Sequence, residues 1–320
     1  MIRLEMFGRL GNQMFRYAFA RALQLKTGLP IRVSFHFVRI EADPKKTASF
    51  DQGWENSLQY FNVAPMEEYK EDKRLLFDSP DLFQKIVGFF YLAYRKIFLK
   101  LHLDIEGMWR ATRPWARLLN REGLFMLSNG YYDYDNFNRK EYYLDGCFEN
   151  SKYFSEIRDV LLKEFTPITP PMQHNERLYK KLSERQSVCV SVRTYHEIAD
   201  DKSKSNTYNT YDKSYYIRAM QYMKKHLSNP LFFICSDDIE WVKRNIDMKG
   251  YDVIFETGKD PIWEKVRMMY TCKHFIISNS SFSWWTMWLS RNKKKIVVAP
   301  KRWYNDRFQG YLVEDWMIKM

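Results

Sequence analysis

The sequence predicts an α/β protein containing a parallel, doubly wound sheet, on three observations. From Val188 onward, apolar runs of strand length alternate with helix-period segments at intervals of about 20 residues, the rhythm of strands joined by crossover helices. The chain opens as strand, glycine loop, helix and strand, which is how such sheets begin. At 320 residues it exceeds what one core usually organises, and it carries a proline-rich break near its middle. Two domains are therefore expected.

Taken in order, residues 2–7 read as a strand and Gly8-Arg9-Leu10-Gly11 as a turn. Asn12 stands at a helix N-cap position ahead of Met14, Phe15, Ala18, Phe19, Ala22 and Leu23, which recur at helical spacing. Gly28 and Pro30 stop that helix before a strand over 31–35. Residues 43–150 give no assignable topology. Within them, 84–103 can place Ile86, Phe89, Phe90, Ala93, Ile97 and Leu101 on one helical face, flanked by Lys85, Arg95, Lys96 and Lys100. Such a stripe ordinarily faces its own core, and that reading is preferred to a helix lying on a membrane surface. Thr166-Pro167-Ile168-Thr169-Pro170-Pro171 favours extended backbone, which divides the chain into domains 1–166 and 167–320. Beyond it, strands are predicted at 188–192, 231–236, 253–256, 275–278 and 296–299. Helices fall between them at 215–227, 239–246, 262–272 and 282–289.

An apolar share of 45% excludes a disordered chain. Lysine and arginine outnumber acids 51 to 39, leaving a net +12 that attracts anions. Residues 1–165 carry 25 basic and 22 acidic groups, so most of the excess lies in the second half. No basic, aromatic-interleaved patch marks a nucleic-acid binder. Cys147, Cys189, Cys235 and Cys272 lack metal or disulfide spacing and read as reduced thiols of a cytoplasmic protein. The six histidines show no ligand spacing and Asp-x-Asp is missing after the strands, so no metal is expected. Gly-x-Ser-x-Gly, the setting of a nucleophilic serine, is absent too. The start of the chain shows no signal-peptide core, and no run has the roughly 20 apolar residues of a membrane span.

Ligands of open parallel sheets bind beyond the carboxyl ends of the strands. There the sequence places Arg193, then Asp237 and Asp238, then Asn279, Ser280 and Ser281 at the start of a helix. A cation, two carboxylates and a hydroxyl-rich helix N-terminus suit a nucleotide diphosphate. For Asp237 or Ser280 alone the reading as a helix cap is preferred, and it is the three sites together on one edge that favour a ligand. Trp284, Trp285 and Trp288 at helical spacing read as core rather than a sugar platform.

Four stretches carry a resemblance to a known family. Residues 8–18, Gly-Arg-Leu-Gly-Asn-Gln-Met-Phe-Arg-Tyr-Ala, resemble the N-terminal motif of the alpha-1,2-fucosyltransferases of glycosyltransferase family 11. Phe233 to Trp241, Cys272 to Trp285 and Pro300 to Trp303 resemble three further motifs, in order along the chain. The family usually reads His-x-Arg-Arg-Gly-Asp where this chain has Ser191-Val192-Arg193-Thr194-Tyr195-His196, so only the first arginine is kept.

The resemblance implies a GT-B-like fold of two Rossmann-like domains facing across a cleft, with GDP-L-fucose mainly on the C-terminal one. It implies metal-independent, cofactor-free, inverting transfer of fucose to the 2-hydroxyl of a galactoside. The expected partners are a GDP-sugar and a galactose-terminated glycan, free or lipid-linked, in bacterial surface-glycan synthesis. A peripheral membrane contact, at the inner face, fits that setting. By position, Arg193 is expected to clamp the pyrophosphate, Asp237 or Asp238 to meet guanosine, and Ser280 and Ser281, with Asn279 and Phe282 of the same motif, to line the phosphate site. Gly11, Asn12 and Gln13 would close over the donor. Inverting displacement also needs a base for the acceptor hydroxyl. His196, Glu197 or an acid of the N-terminal domain could serve. The altered stretch after Arg193 leaves a noncatalytic glycan- or sugar-nucleotide-binding relative, or a transferase with another donor, as the alternative.

Overall fold

The computed structural model describes residues 1–42, 54–101, 103–127, 130–195, 207–208, 213–305 and 310–320. The chain divides into two compact units. The first comprises Met1–Gln59 and Val63–Glu164 with a short piece ending at Tyr311; the second comprises Tyr60–Asn62, Phe165–Asn305 and Leu312–Met320.

The first unit runs β1 (Ile2–Glu5), α1 (Leu10–Thr27), β2 (Ile31–Ser34), α2 (His36–Glu41), β3 (Glu67–Tyr69), α3 (Leu82–Lys100), α4 (Ile105–Thr112), α5 (Ala116–Arg121), β4 (Leu124–Phe125), β5 (Tyr142–Leu144) and α6 (Arg158–Glu164). Its strands form a sheet in the order β3-β2-β1-β5-β4, every pairing parallel. β1 is buried along its whole length, as a central strand covered on both faces must be. The opening helix starts three residues earlier than expected. Its N-cap residue is Arg9, without a side-chain cap bond, so Asn12 is not the cap. Gly8 causes the difference, turning the chain at φ +78°, where an added Cβ would lie 2.5 Å from Asn12 Nδ2. Asn12 therefore lies against the turn rather than at the helix start.

The expectation for the apolar stripe is overturned. α3 begins at an Asp81 cap that accepts from Gln84 N–H, and it turns Gln84, Val87, Gly88 and Tyr91 inward. Gly88 permits the close approach, because a Cβ there would fall 2.8 Å from the Leu76 side chain. Tyr91 then joins Leu75, Leu76, Leu119, Leu124 and Tyr143 in the core. The predicted stripe lies on the opposite side, with Ile86, Phe89, Phe90, Ile97 and Leu101 all exposed. Arg95 also departs from its flanking position, turning in to within 3.7 Å of the Asp145 carboxylate. Periodicity gives the face of a helix but not what covers it.

The second unit runs α7 (Glu176–Glu184), β6 (Ser187–Val192), α8 (Lys213–His226), β7 (Leu231–Ser236), α9 (Ile239–Asn245), β8 (Asp252–Phe255), α10 (Ile262–Thr271), β9 (His274–Ile276), α11 (Ser281–Leu289), β10 (Val297–Ala299) and β11 (Ile318–Lys319). Its sheet reads β8-β7-β6-β9-β10-β11, all parallel. By order of appearance this is 3-2-1-4-5-6, the doubly wound arrangement of a Rossmann unit. Val188, Val190 and Val192 of β6 meet Phe232, Ile234 and Ile276 and the α8 residues Tyr215, Ala219, Met220 and Met223. Alternation of strand and helix thus delivers the predicted α/β class in both units. Trp284 and Trp285 are fully buried and meet edge to face at 5.2 Å, so they are core.

Candidate functional site

In a 3-2-1-4-5-6 sheet the chain reverses direction between the first and fourth strands, and the crevice at that switch point takes ligands. Here those strands are β6 and β9, paired through Val188↔His274 to Val190↔Ile276. The segments leaving their carboxyl ends are Arg193-Thr194-Tyr195 and Ile277-Ser278-Asn279-Ser280.

Asp237 leaves the end of β7, the neighbour of β6, and turns back across the edge. It forms an ion pair with the Arg193 guanidinium. Its Oδ1 accepts from Thr194 N–H at 2.9 Å, its Oδ2 accepts from the Thr194 hydroxyl at 3.0 Å, and the Ser236 hydroxyl donates to Oδ1 at 3.2 Å. The helix-capping alternative is filled by Asp238 instead, whose Oδ1 accepts from Trp241 N–H at 2.8 Å. The two adjacent carboxylates thus have separate tasks. Asp238 starts α9, and Asp237 fixes the direction of Arg193.

Tyr195 supplies the floor. Its backbone is left-handed, φ 57°, a conformation that costs a non-glycine residue about 1 kcal/mol or more. The strain turns the ring beneath Arg193, whose guanidinium carbon lies 4.9 Å from the ring centre, and lets the hydroxyl donate to Asn279 O at 2.7 Å. That bond ties the β6 and β9 ends together across the switch point. Asn279 in turn donates from Nδ2 to Tyr208 O at 2.7 Å and to Trp303 O at 3.0 Å, while its buried Oδ1 has no partner. Ser280 occupies the N-cap position of α11 without a side-chain capping bond. Ser280, Ser281 and Phe282 are half-buried at this helix start. The arrangement is a cation held by an acid on an aromatic ring, beside a hydroxyl-bearing helix N-terminus, and it can bind a diphosphate.

Tyr195 and Tyr208 were not singled out from the sequence. Tyr208 stacks on Tyr195 at 6.0 Å and meets Tyr304 edge to face at 5.7 Å. A tyrosine in left-handed backbone has no local signature, and its partners lie far along the chain. His196 and Glu197, the sequence-based nominees for the base, lie outside the described residues.

The first unit has its own switch point, between β1 and β5, and it is built differently. Glu5 ends β1 and is fully buried. Its Oε1 accepts from Leu75 N–H at 2.6 Å and from the Tyr143 hydroxyl at 3.0 Å, and Oε2 has no partner. Burial, reinforced by the negative charge of Asp145, pushes Glu5 up to about 7 against the pull of the Leu75 amide, Arg74 and Tyr143. Burial also works to raise Asp145, yet Arg95, Arg74 and Arg16 together hold its carboxyl below the usual range. Arg74 bonds Asp145 at 2.8 Å, and Arg16 donates to Glu5 O at 2.7 Å.

In the glycine turn of this unit, Gly11, Asn12 and Gln13 fall in the first turns of α1. Gln13 is wholly buried and committed to backbone. Its Nε2 donates to Gly8 O at 2.9 Å and Glu55 O at 2.7 Å, and its Oε1 accepts from Ser57 N–H at 3.0 Å. It pins the turn to residues 55–57.

All four cysteines are free thiols. Burial, the largest cause, raises Cys189 and Cys272 well above their ordinary range, which removes thiolate reactivity. Among the described residues no group of three or more His, Cys, Asp or Glu side chains is placed to hold a metal ion.

The fold is that of an α/β protein with a Rossmann-type sheet. Residues 91–319 match Glycosyl transferase family 11, and the chain belongs to that family. Three of the four motifs read from the sequence, those beginning at Phe233, Cys272 and Pro300, fall within that match. An alpha-1,2-colitosyltransferase from Escherichia coli is 33% identical over 165 residues, covering 50% of this chain and 55% of that protein. The O-antigen biosynthesis glycosyltransferase WbnK, also from Escherichia coli, is 23% identical over 98% of both chains. A galactoside 2-alpha-L-fucosyltransferase from Caenorhabditis elegans is 27% identical over 54% of this chain and 49% of that protein. The first and third matches thus span about half of the relative's length. The crystal structure of fucosyltransferase NodZ from Bradyrhizobium aligns over 89% of this chain and 90% of that chain, at 13% identity and a TM-score of 0.46.

Proposed function

We propose that the protein transfers L-fucose from GDP-L-fucose to the 2-hydroxyl of a galactoside, with inversion and without a metal ion. The observation that carries this reading is Arg193, held by Asp237 at the switch point of the second sheet. Transfer is a single displacement in which the acceptor oxygen bonds to C1 of the sugar as the C1–O bond to the diphosphate breaks. The departing electron pair goes to the phosphate oxygen, where a fixed guanidinium compensates the developing charge. The acceptor proton goes to a base, for which His196 and Glu197, one and two residues beyond the described Tyr195, remain the nominees. Family membership and the names of the galactoside fucosyltransferase and colitosyltransferase relatives support a deoxysugar donor and a 2-hydroxyl acceptor.

A second reading keeps the reaction but changes the donor sugar to another GDP-linked deoxyhexose. It is favoured by the 33% identity to the colitosyltransferase and by Thr194-Tyr195-His196 standing where the family usually has Arg-Gly-Asp. The acceptor is then expected in bacterial surface-glycan synthesis, as the name of the O-antigen relative indicates for that protein.

Purified protein, incubated separately with GDP-fucose, other GDP-sugars and UDP-sugars against galactose-terminated glycans, tests both readings. The mass and linkage of the product identify donor and position. Transfer from a UDP-sugar, or tight GDP binding with neither transfer nor GDP release, overturns them.

A further inference from the structure

We propose that the exposed face of α3 docks the protein on an anionic lipid bilayer, with the helix lying in the plane of the surface. The inference does not depend on which sugar is transferred. Leu82, Phe83, Ile86, Phe89, Phe90, Ile97 and Leu101 are between 43% and 69% exposed. At 100° per residue they share one side of the helix, opposite the inward Gln84, Val87, Gly88 and Tyr91. Isolated exposed apolar residues need no explanation, but seven contiguous ones on one helix do.

Charge selects the occupant. Residues 82–103 contain no acid; at 100° per residue Lys85 and Lys96 lie along one margin of the apolar face, and Lys100 stands at its C-terminal end. Residues 82–121 hold eight basic and two acidic groups, a net +6, whereas residues 1–165 as a whole carry only +3. The rest of that half is therefore net negative, and its positive charge is concentrated in and just after α3. An apolar face with a cationic margin is the pattern of an interfacial helix on anionic lipid. A second copy is a poorer occupant, since pairing two such faces brings like charges together. No helix of the described residues is long and apolar enough to cross a membrane. The 19 residues of α3 span about 28 Å, enough to lie along a surface.

The experiment uses the full chain in vesicle sedimentation, with phosphatidylglycerol–phosphatidylethanolamine vesicles set against phosphatidylcholine alone. Expected are binding to the anionic vesicles that weakens with salt, and little binding to the neutral ones. The variant Phe89→Asp/Phe90→Asp should lose the binding at least tenfold while melting near the wild-type temperature. Lys85→Gln/Lys96→Gln/Lys100→Gln should weaken it on the order of a hundredfold, at about fivefold per lysine. Absence of binding to anionic vesicles, or equal binding to both kinds, overturns the proposal. So does undiminished binding by the Phe pair variant, or a sharply lowered melting temperature in it, which would mean the chain itself covers the face. A lipid-free dimer seen by light scattering and dissolved by the same pair variant assigns the face to a second copy and also overturns it.

Discussion

Replacing Arg193 with alanine separates catalysis from folding, and the geometry gives both magnitudes. The substitution removes the guanidinium that meets Asp237. Asp237 keeps the Thr194 N–H at 2.9 Å, the Thr194 hydroxyl at 3.0 Å and the Ser236 hydroxyl at 3.2 Å. Its side chain is 23% exposed, so water reaches the carboxylate and no buried charge is stranded. The fold should lose about 1 kcal/mol, a few degrees of melting temperature. Losing a fixed cation opposite the departing diphosphate should cost about 3 kcal/mol, on the order of a hundredfold in rate. Lysine should recover little, because a point charge cannot hold two phosphate oxygens or lie flat on the Tyr195 ring. Initial rates of product and GDP formation, taken beside circular-dichroism melts, read the two effects separately. Turnover near wild type in the folded alanine variant, or a rate loss fully explained by unfolding, refutes the assignment.

Three further outcomes are expected. Transfer should continue in excess EDTA, since Arg193 and the helix start at Ser280 are assigned the diphosphate charge; restoration of a chelated enzyme by manganese or magnesium would count against that assignment. Ser280→Ala/Ser281→Ala removes two hydroxyls but leaves the backbone donors, so GDP affinity by calorimetry should fall by about 1–3 kcal/mol. A lowered melting temperature with unchanged affinity would instead make these serines part of the scaffold. Glu5→Gln should flatten the pH dependence of stability: the folded pKa of about 7 stands above the ordinary 4.5, so this group's contribution is full below about 4.5 and is lost as pH rises through 7. The loss is about 3 kcal/mol, and melts at pH 5 and pH 8 that keep the wild-type difference in the glutamine variant would remove Glu5 as its source.

The second sheet was readable from sequence chiefly through its central strands, which are covered on both faces. All six residues of β6 are buried, and β7 is nearly so, giving apolar runs that no surface segment imitates. The first sheet shows its opening pair, β1 and β2, but hides the rest. β3 is Glu67-Glu68-Tyr69, with both glutamates exposed, and β4 has two residues, so neither yields a pattern. The carboxyl edge of the second sheet was legible wherever a polar residue follows a buried strand, which places Arg193, Asp237 and Ser280 along it. What joins those residues was not. The Tyr195–Asn279 bond spans 84 positions, and the left-handed backbone that aims Tyr195 is imposed by the fold. Asp237 and Asp238 are chemically identical neighbours, and only the turn geometry decides which one caps α9.

Both sheets bring charged groups to their switch points, and solvent access separates their roles. The edge of the second sheet leaves Arg193 15% and Asp237 23% exposed, beside half-buried serines, so a diphosphate can replace water there without stranding a charge. At the first sheet, Glu5 is fully buried, and the carboxylate of Asp145 is bonded to Arg74 at 2.8 Å with Arg16 and Arg95 within 3.7 Å. A strongly shifted carboxyl at a sheet edge invites assignment as a general base. Such a base must reach the hydroxyl it deprotonates to within about 3 Å or through one water, and a side chain with no accessible surface cannot. The raised pKa of Glu5 therefore follows from burial beside Asp145 rather than from preparation for proton transfer, and Glu5 belongs to the interior that fixes the ends of β1 and β5. The proposed donor site is the exposed edge, where the charge on Arg193 is held in place yet remains within reach of solvent.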